Sequence, residues 1–393
     1  MSVQPCAIVG IGQTKHKKRR DDVSLPGLVR EAAQRALDDA QLTWTDIDAV
    51  VLGKAPDPFE GVMMPELSMA DALGAAGKPI MRVHTAGSVG GSTAIVASHL
   101  IQTGRHERVL TVAYEKQAEG NAQWGLAGGR SGGMGAGGIF APWMRSFMAR
   151  TGSPDHIGPM VAVKDRRNAA KNPYAHLQMP ELTIEEVLES PMLWDPIHWH
   201  ESCPSSDGAC ALVLTNEDGA KKSPNPPAWV LSTAMRSELG MFPGRDPVRP
   251  QAGVECAHMV LDAAGITNPL EQIDVAELYV PFSWYEPMWL EGHDLVGKGE
   301  AWKLIESGDT NLGGKFPVNP SGGVLSSNPI GASGMLRFGE AALQVRGMAG
   351  EHQVEGATVA LAQAYGGAAQ YFAMWVVGST LDAVERKRAA GGN

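Results

Sequence analysis

The sequence predicts an α/β fold made of two similar halves. Three observations carry that expectation: an internal echo, a pair of unusually apolar helices, and β-branched strands that follow them. Leu37-Asp38-Asp39-Ala40, then Asp46-Ile47-Asp48-Ala49-Val50-Val51-Leu52, returns as Leu261-Asp262-Ala263-Ala264, then Gln272-Ile273-Asp274-Val275-Ala276-Glu277-Leu278. In each copy a helix ends, a short polar turn follows, and an Ile-Asp pair leads into an apolar strand.

A second echo pairs Ser88-Val89-Gly90-Gly91-Ser92 with Asn328-Pro329-Ile330-Gly331-Ala332. Each opens a helix that is apolar on most sides, Thr93 to Ile101 and Met335 to Val345, and such helices belong in a core. Strands follow at Arg108 to Tyr114 and at Ala357 to Leu361. Elsewhere Ser24 is placed to cap a helix whose Leu25, Leu28, Val29, Ala32, Ala33, Ala36 and Leu37 form one stripe, with Pro26 tolerated in its first turn. The expected division is a first half over residues 1–225, a second over 226–380 and a flexible tail over 381–393.

The first half carries an insert at about 115–202, rich in Gly and Pro and poor in strand pattern. Its stretch Gly128 to Gly138 reads as a mobile loop, either over a ligand or as a plain connection. It is no dinucleotide fingerprint, because strand and helix do not flank it at the needed spacing; Gly10-Ile11-Gly12 follows a strand but lacks the third glycine.

Composition narrows the function classes. A chain of 393 residues, 44% hydrophobic and 19% charged, can bury a large core. Its net charge of −10 argues against nucleic acid, and its one dense basic run, Lys15 to Arg20, reads as a solvated loop or a phosphate contact. No uninterrupted apolar run reaches the ~18 residues of a membrane span, and the start lacks the pattern of a signal peptide. Four scattered cysteines suit a reducing cytoplasm without disulfides. His198, His200, Cys203 and Cys210 match no zinc spacing, and Cys210 sits in an apolar run as a buried structural thiol, so no metal is expected.

Three segments carry a family resemblance: Val83 to Ala94, Cys203-Pro204-Ser205-Ser206-Asp207-Gly208-Ala209, and Asn319-Pro320-Ser321-Gly322-Gly323 continuing to Asn328-Pro329-Ile330-Gly331-Ala332. They resemble the thiolase superfamily, notably its sterol carrier protein X and lipid-transfer-protein type, over Ala7 to Gly378. The resemblance implies a five-layered αβαβα fold of two halves.

The chemistry departs from that family. A thiolase needs a thiolate, a histidine to activate it, a second acid/base group and oxyanion donors. Here Ser88 stands at the cysteine position, Tyr279-Val280-Pro281-Phe282 replaces His-Asp-Cys-Phe, and Asn328 replaces the histidine of Gly-His-Pro. The last loop reads Ala364-Tyr365-Gly366-Gly367, and either Ala364 or Tyr365 faces the site.

The implied enzyme is a carbon–carbon lyase, cleaving a β-hydroxyacyl-CoA thioester of a steroid or sterol side chain by retro-aldol reaction. Tyr279 and Tyr365 are its candidate acid/base groups and Asn328 its oxyanion donor, with Ser88, Gly331, Ser321 and Gly366 against the substrate. Arg166, Arg167 and Lys171 either meet coenzyme A phosphates or form a solvated helix face. Coenzyme A enters with the substrate and no permanent cofactor is expected; the partners implied are a second copy of the chain and an OB-fold protein. Blocking cysteines is expected to leave activity intact. An acyltransferase acting through Ser88 and a silent lipid-binding subunit remain as alternatives.

Overall fold

The computed structural model describes residues 3–57, 61–120, 135–240 and 243–391. Its main sheet is built from β1 (Cys6–Gln13), β2 (Ala49–Lys54), β3 (Ile80–Val83), β4 (Arg108–Lys116), β7 (Asp207–Asn216), β8 (Ala228–Ser237), β9 (Val275–Glu277), β10 (Val359–Gly366) and β11 (Tyr371–Gly378). Their order is β3-β2-β4-β7-β1-β8-β11-β10-β9, and two short strands, β5 (Met192–Trp194) and β6 (Ile197–His198), pair apart. Among the described residues, the halves of the sheet meet where β1 touches β8, at Ala7–Trp229 and Ile8–Ala228.

Helices sort into layers around that seam. Leu25–Ala40 packs on β1, β4 and β7, while Gln251–Ala264 packs on β8 and β11. Val89–Gln102 and Ile330–Arg346 each touch strands of both halves, so they lie between them. The result is helix, sheet, helix pair, sheet, helix: the five-layered αβαβα arrangement.

The echoed sequences have a physical reason. In the first half Asp48 Oδ2 accepts from the main-chain N–H groups of Glu107 and Arg108, at 2.8 and 2.9 Å. In the second, Asp274 Oδ2 accepts from Thr358 and Val359 at 2.8 and 3.0 Å. Each aspartate thereby satisfies donors where the neighbouring parallel strand begins, β4 beside β2 and β10 beside β9. The helices before them also end alike, with Gln41 and Gly265 in the left-handed region at φ 53° and 73°.

Ser24 caps its helix, accepting from Gly27 N at 3.2 Å, and the predicted stripe is buried. The two central helices begin at Val89 and Ile330, in the Ser88 and Asn328 segments expected to open them, and glycines in their first turns permit a close crossing. A Cβ on Gly90 would stand 2.4 Å from Met335 N, and one on Gly334 2.7 Å from Gly91 N.

Several expectations need correction. The Gly128 to Gly138 loop falls mostly on residues 121–134, outside those described, but Gly135 opens the helix Gly135–Thr151, and Gly137 packs so tightly on Trp194 that a Cβ would overlap its ring. The basic stretch Lys164 to Asn168 is not a solvated face: only Arg167 is exposed, while Lys164 is buried against Glu286 at 2.6 Å and Asp165 at 3.2 Å. In the Lys15 to Arg20 run, His16 and Arg20 are buried, and Arg20 pairs with Asp22 and Glu31 at 2.8 Å each. The tail carries a helix, Ala383–Gly391, in which Ala383 and Val384 are buried and Lys387 pairs with Asp274.

Candidate active site

The starts of the two central helices, the strand β10 and the insert helix Gly135–Thr151 enclose a cavity of about 350 Å³. Tyr279, Tyr365, Asn328, Gly87, Cys203 and Phe140 are on its wall. Tyr365, not Ala364, reaches it.

Tyr279 follows β9, where the strand ladder has ended and its main chain needs other partners. Gln363 Oε1 accepts from Tyr279 N at 2.9 Å, and Trp289 Nε1 donates to Tyr279 O at 3.0 Å. Its ring meets that of Tyr365 edge-on, with centroids 5.3 Å apart at 83°. The hydroxyl donates to Asn328 Oδ1 at 3.4 Å, an oxygen that also accepts from Ser333 Oγ at 2.8 Å.

Asn328 is fixed from several sides. Its main-chain N–H donates to Ser206 Oγ at 3.2 Å, and its carbonyl accepts from Gln117 Nε2 at 2.7 Å. Its side-chain Nδ2 donates to Cys203 Sγ at 3.1 Å, and both residues line the cavity.

Burial pushes both phenols well above their ordinary range; charge on Cys203 adds for Tyr279, and neighbouring Tyr285 adds for Tyr365. Both tyrosines are therefore neutral proton donors near pH 7. Burial likewise pushes the Cys203 thiol up to about 11, although Asn328 and Arg166 pull the other way.

The remaining candidates do not join them, apart from Gly366, which lines the cavity. Ser88 is buried and absent from the cavity wall: its hydroxyl donates to Thr85 O at 2.7 Å, because the preceding turn, with Ala86 at φ 52°, sends Ala86 and Gly87 forward in its place. Ser321 is tied into a buried ion pair, donating to Glu277 Oε2 at 2.9 Å and accepting from Arg337 at 2.7 Å. Gly331 donates its N–H to Glu115 at 3.2 Å inside the helix crossing. Arg166 is buried, with its guanidinium on main-chain oxygens, while Arg167 and Lys171 are exposed and apart from the cavity.

Sequence reasoning missed Cys203 and Phe140. The first was visible as part of the Cys203-Pro204-Ser205-Ser206 motif but was weighed only as a metal ligand; the second lies in the insert, which has no strand period to read. Among the described residues no group of three or more His, Cys, Asp or Glu side chains could hold a metal, and no helix is long and apolar enough to cross a membrane.

Residues 238–379 match the family model "Thiolase C-terminal domain-like". Over 376 residues the chain is 30% identical to the acetyl-CoA acetyltransferase of Methanothermobacter thermautotrophicus, covering 92% of this chain and 96% of that protein. Over 379 residues it is 30% identical to sterol carrier protein 2 of Bos taurus, covering 90% of this chain and 68% of that one. The solved structure "Ltp2-ChsH2(DUF35) aldolase" superposes with a TM-score of 0.82 at 26% identity, over 96% of this chain and 98% of that one. The chain belongs to the thiolase superfamily, among its sterol carrier protein X and aldolase-like members.

Proposed function

We propose that the protein is a carbon–carbon lyase that cleaves a β-hydroxyacyl-CoA thioester by retro-aldol reaction, its acyl group a steroid or sterol side chain. One observation carries this reading: two neutral tyrosines and an amide share a cavity from which the serine at the nucleophile position is turned away. Likeness to a protein described as an aldolase supports it.

The reaction needs no covalent intermediate. The β-hydroxyl loses its proton, the bond between the α and β carbons breaks, and the electron pair passes to the α-carbon and the thioester oxygen. An aldehyde or ketone leaves, and the α-carbon takes up a proton. The proton lost equals the proton gained, so two adjoining phenols can relay it without either remaining charged. Asn328 Nδ2 is the donor offered to the enolate oxygen, which the apolar wall shields from water.

Acyl transfer is the second reading, favoured by the thiol of Cys203 in the same cavity and by likeness to an acetyltransferase. Incubation with β-hydroxyacyl-CoA thioesters, with product detection and intact-protein mass, separates the two. A carbonyl product plus a shortened thioester, with no acyl-enzyme, is expected; an acyl adduct on Cys203 or Ser88 moves the case to transfer. The homodimer and the OB-fold partner belong to the same proposal, and sedimentation and co-purification test them.

A further inference from the structure

Behind Cys203 lies a second cavity that this reaction does not use. Its volume is about 460 Å³, and its wall includes Lys18, Arg166, His176, Trp199 and His200. Cys203 borders both cavities, which makes them neighbours across one side chain. On the other side, Met179 and His200 also border a wide surface depression of about 620 Å³, so the second cavity lies close beneath the surface.

Its charge is one-sided. Arg166 is 1% exposed, and its guanidinium donates to the main-chain oxygens of Leu325, His200 (3.4 Å) and Ser202 (3.2 Å), while Nε has no partner. The adjacent carboxylate, Asp165, is engaged by Lys164 at 3.2 Å, and among the described residues no carboxylate pairs with Arg166. Lys18 is exposed beside it. Burial holds the His176 imidazole below its ordinary range, and Arg166, Lys15 and Lys18 add to that from around it. His200 is held down by burial and by Arg166, with only Glu186 acting against. Asp165 acts on Arg166 only through space, and a buried cation with no carboxylate in contact is costly in a low-dielectric interior, which an anion entering the cavity would relieve.

We propose that this second cavity is an oxyanion-binding subsite, receiving a carboxylate or phosphate carried by the ligand whose reacting end lies on the far side of Cys203. The identity of that ligand as a thioester rests on the proposed function; the anion site does not. Lys18 supplies a direct contact at the mouth, and Arg166 supplies the field behind the wall. The anion has two sources, a carboxylate at the far end of the acyl chain or the phosphates of coenzyme A.

Calorimetric titration of the full chain with glutaryl-CoA, pentanoyl-CoA, coenzyme A and 3′-dephospho-CoA tests this, in the wild type and in Lys18→Glu. Lys18 is exposed, so the reversal leaves the fold intact. Binding in the wild type should weaken with salt, and Lys18→Glu should cost about tenfold in affinity, the factor that 1.4 kcal/mol represents. An acyl carboxylate shows as a preference for glutaryl-CoA over pentanoyl-CoA that Lys18→Glu erases; a phosphate shows as the same erasure between coenzyme A and dephospho-CoA. Equal affinity for all four ligands, unchanged by salt and by Lys18→Glu, overturns the proposal. Binding as expected, together with no cleavage of β-hydroxyacyl-CoA thioesters in the separate turnover assay, would count against the lyase alone.

Discussion

The ring of Tyr279 stands edge-on to that of Tyr365, with centroids 5.3 Å apart, and both face one cavity with their phenols held neutral by burial. Two neutral phenols on one wall are the groups through which the proposed proton transfer would pass.

If those phenols move the proton, Tyr279→Phe lowers kcat by at least the ~10²-fold typical of a lost acid/base group while KM changes little. Ser88→Ala, whose hydroxyl only closes the Thr85 turn, stays within about twofold of the wild type. Full turnover in Tyr279→Phe removes the proposed catalyst.

Asn328→Ala tests the oxyanion role separately. A loss of about 10²–10³ in kcat is expected. Its main-chain bonds to Ser206 and Gln117 survive the change while Tyr279 and Ser333 lose their shared acceptor, so a circular dichroism spectrum like the wild type's with a modestly lower melting temperature should accompany the loss.

Cys203 reverses the expectation that thiol reagents are harmless. It is the half-buried cysteine, whereas Cys6, Cys210 and Cys256 are fully buried, so iodoacetamide should add one group per native chain and block the cavity. With its thiol pushed up to about 11, labelling should be slow at pH 7 and quicken about tenfold per pH unit up to pH 10. Cys203→Ala should remain unlabelled and active; persistent inhibition of that variant would point to another target.

Acid should destabilise the protein through two buried histidines. Among the described residues, His16 and His293 have no hydrogen-bond partners for either ring nitrogen, and burial lowers both to about 3. Since the unfolded chain binds those protons from near pH 6.5 downward, their contribution is complete above that pH and is lost as pH falls toward 3. Each costs about 1.4 kcal/mol per pH unit within that window. Urea melts of His293→Gln across pH 4–7 should show a shallower decline than the wild type; an identical slope would refute this assignment.

Much of the frame was legible in the sequence because local patterns dictate it. Ser24 and its stripe announce a capped helix, and the Ile-Asp pairs announce strands because Asp48 and Asp274 meet the same need in each half. The closeness of the central helices' crossing was not legible, since glycines that permit close contact look the same as glycines that break helices. In the site, motif position located Tyr279, Tyr365 and Asn328. It could not tell that Ser88 turns inward, which a single left-handed residue, Ala86, decides. Nor could it bring Cys203 to the cavity, which depends on the long-range bond from its N–H to Pro281 O at 2.9 Å.

Around Gly87 the cavity is assembled by bare main chain. A Cβ on Gly366 would lie 2.4 Å from Gly87 N and 2.5 Å from Ser88 N, just as one on Gly90 would strike Met335 N. The approach of β10 to the first helix start, and of the two central helices to one another, is thus gauged by peptide units in contact. A scaffold of this kind can exchange a group facing the gap, asparagine for histidine at 328, while the distances between its anchoring points stay the same. Reaction type and frame geometry become independent variables.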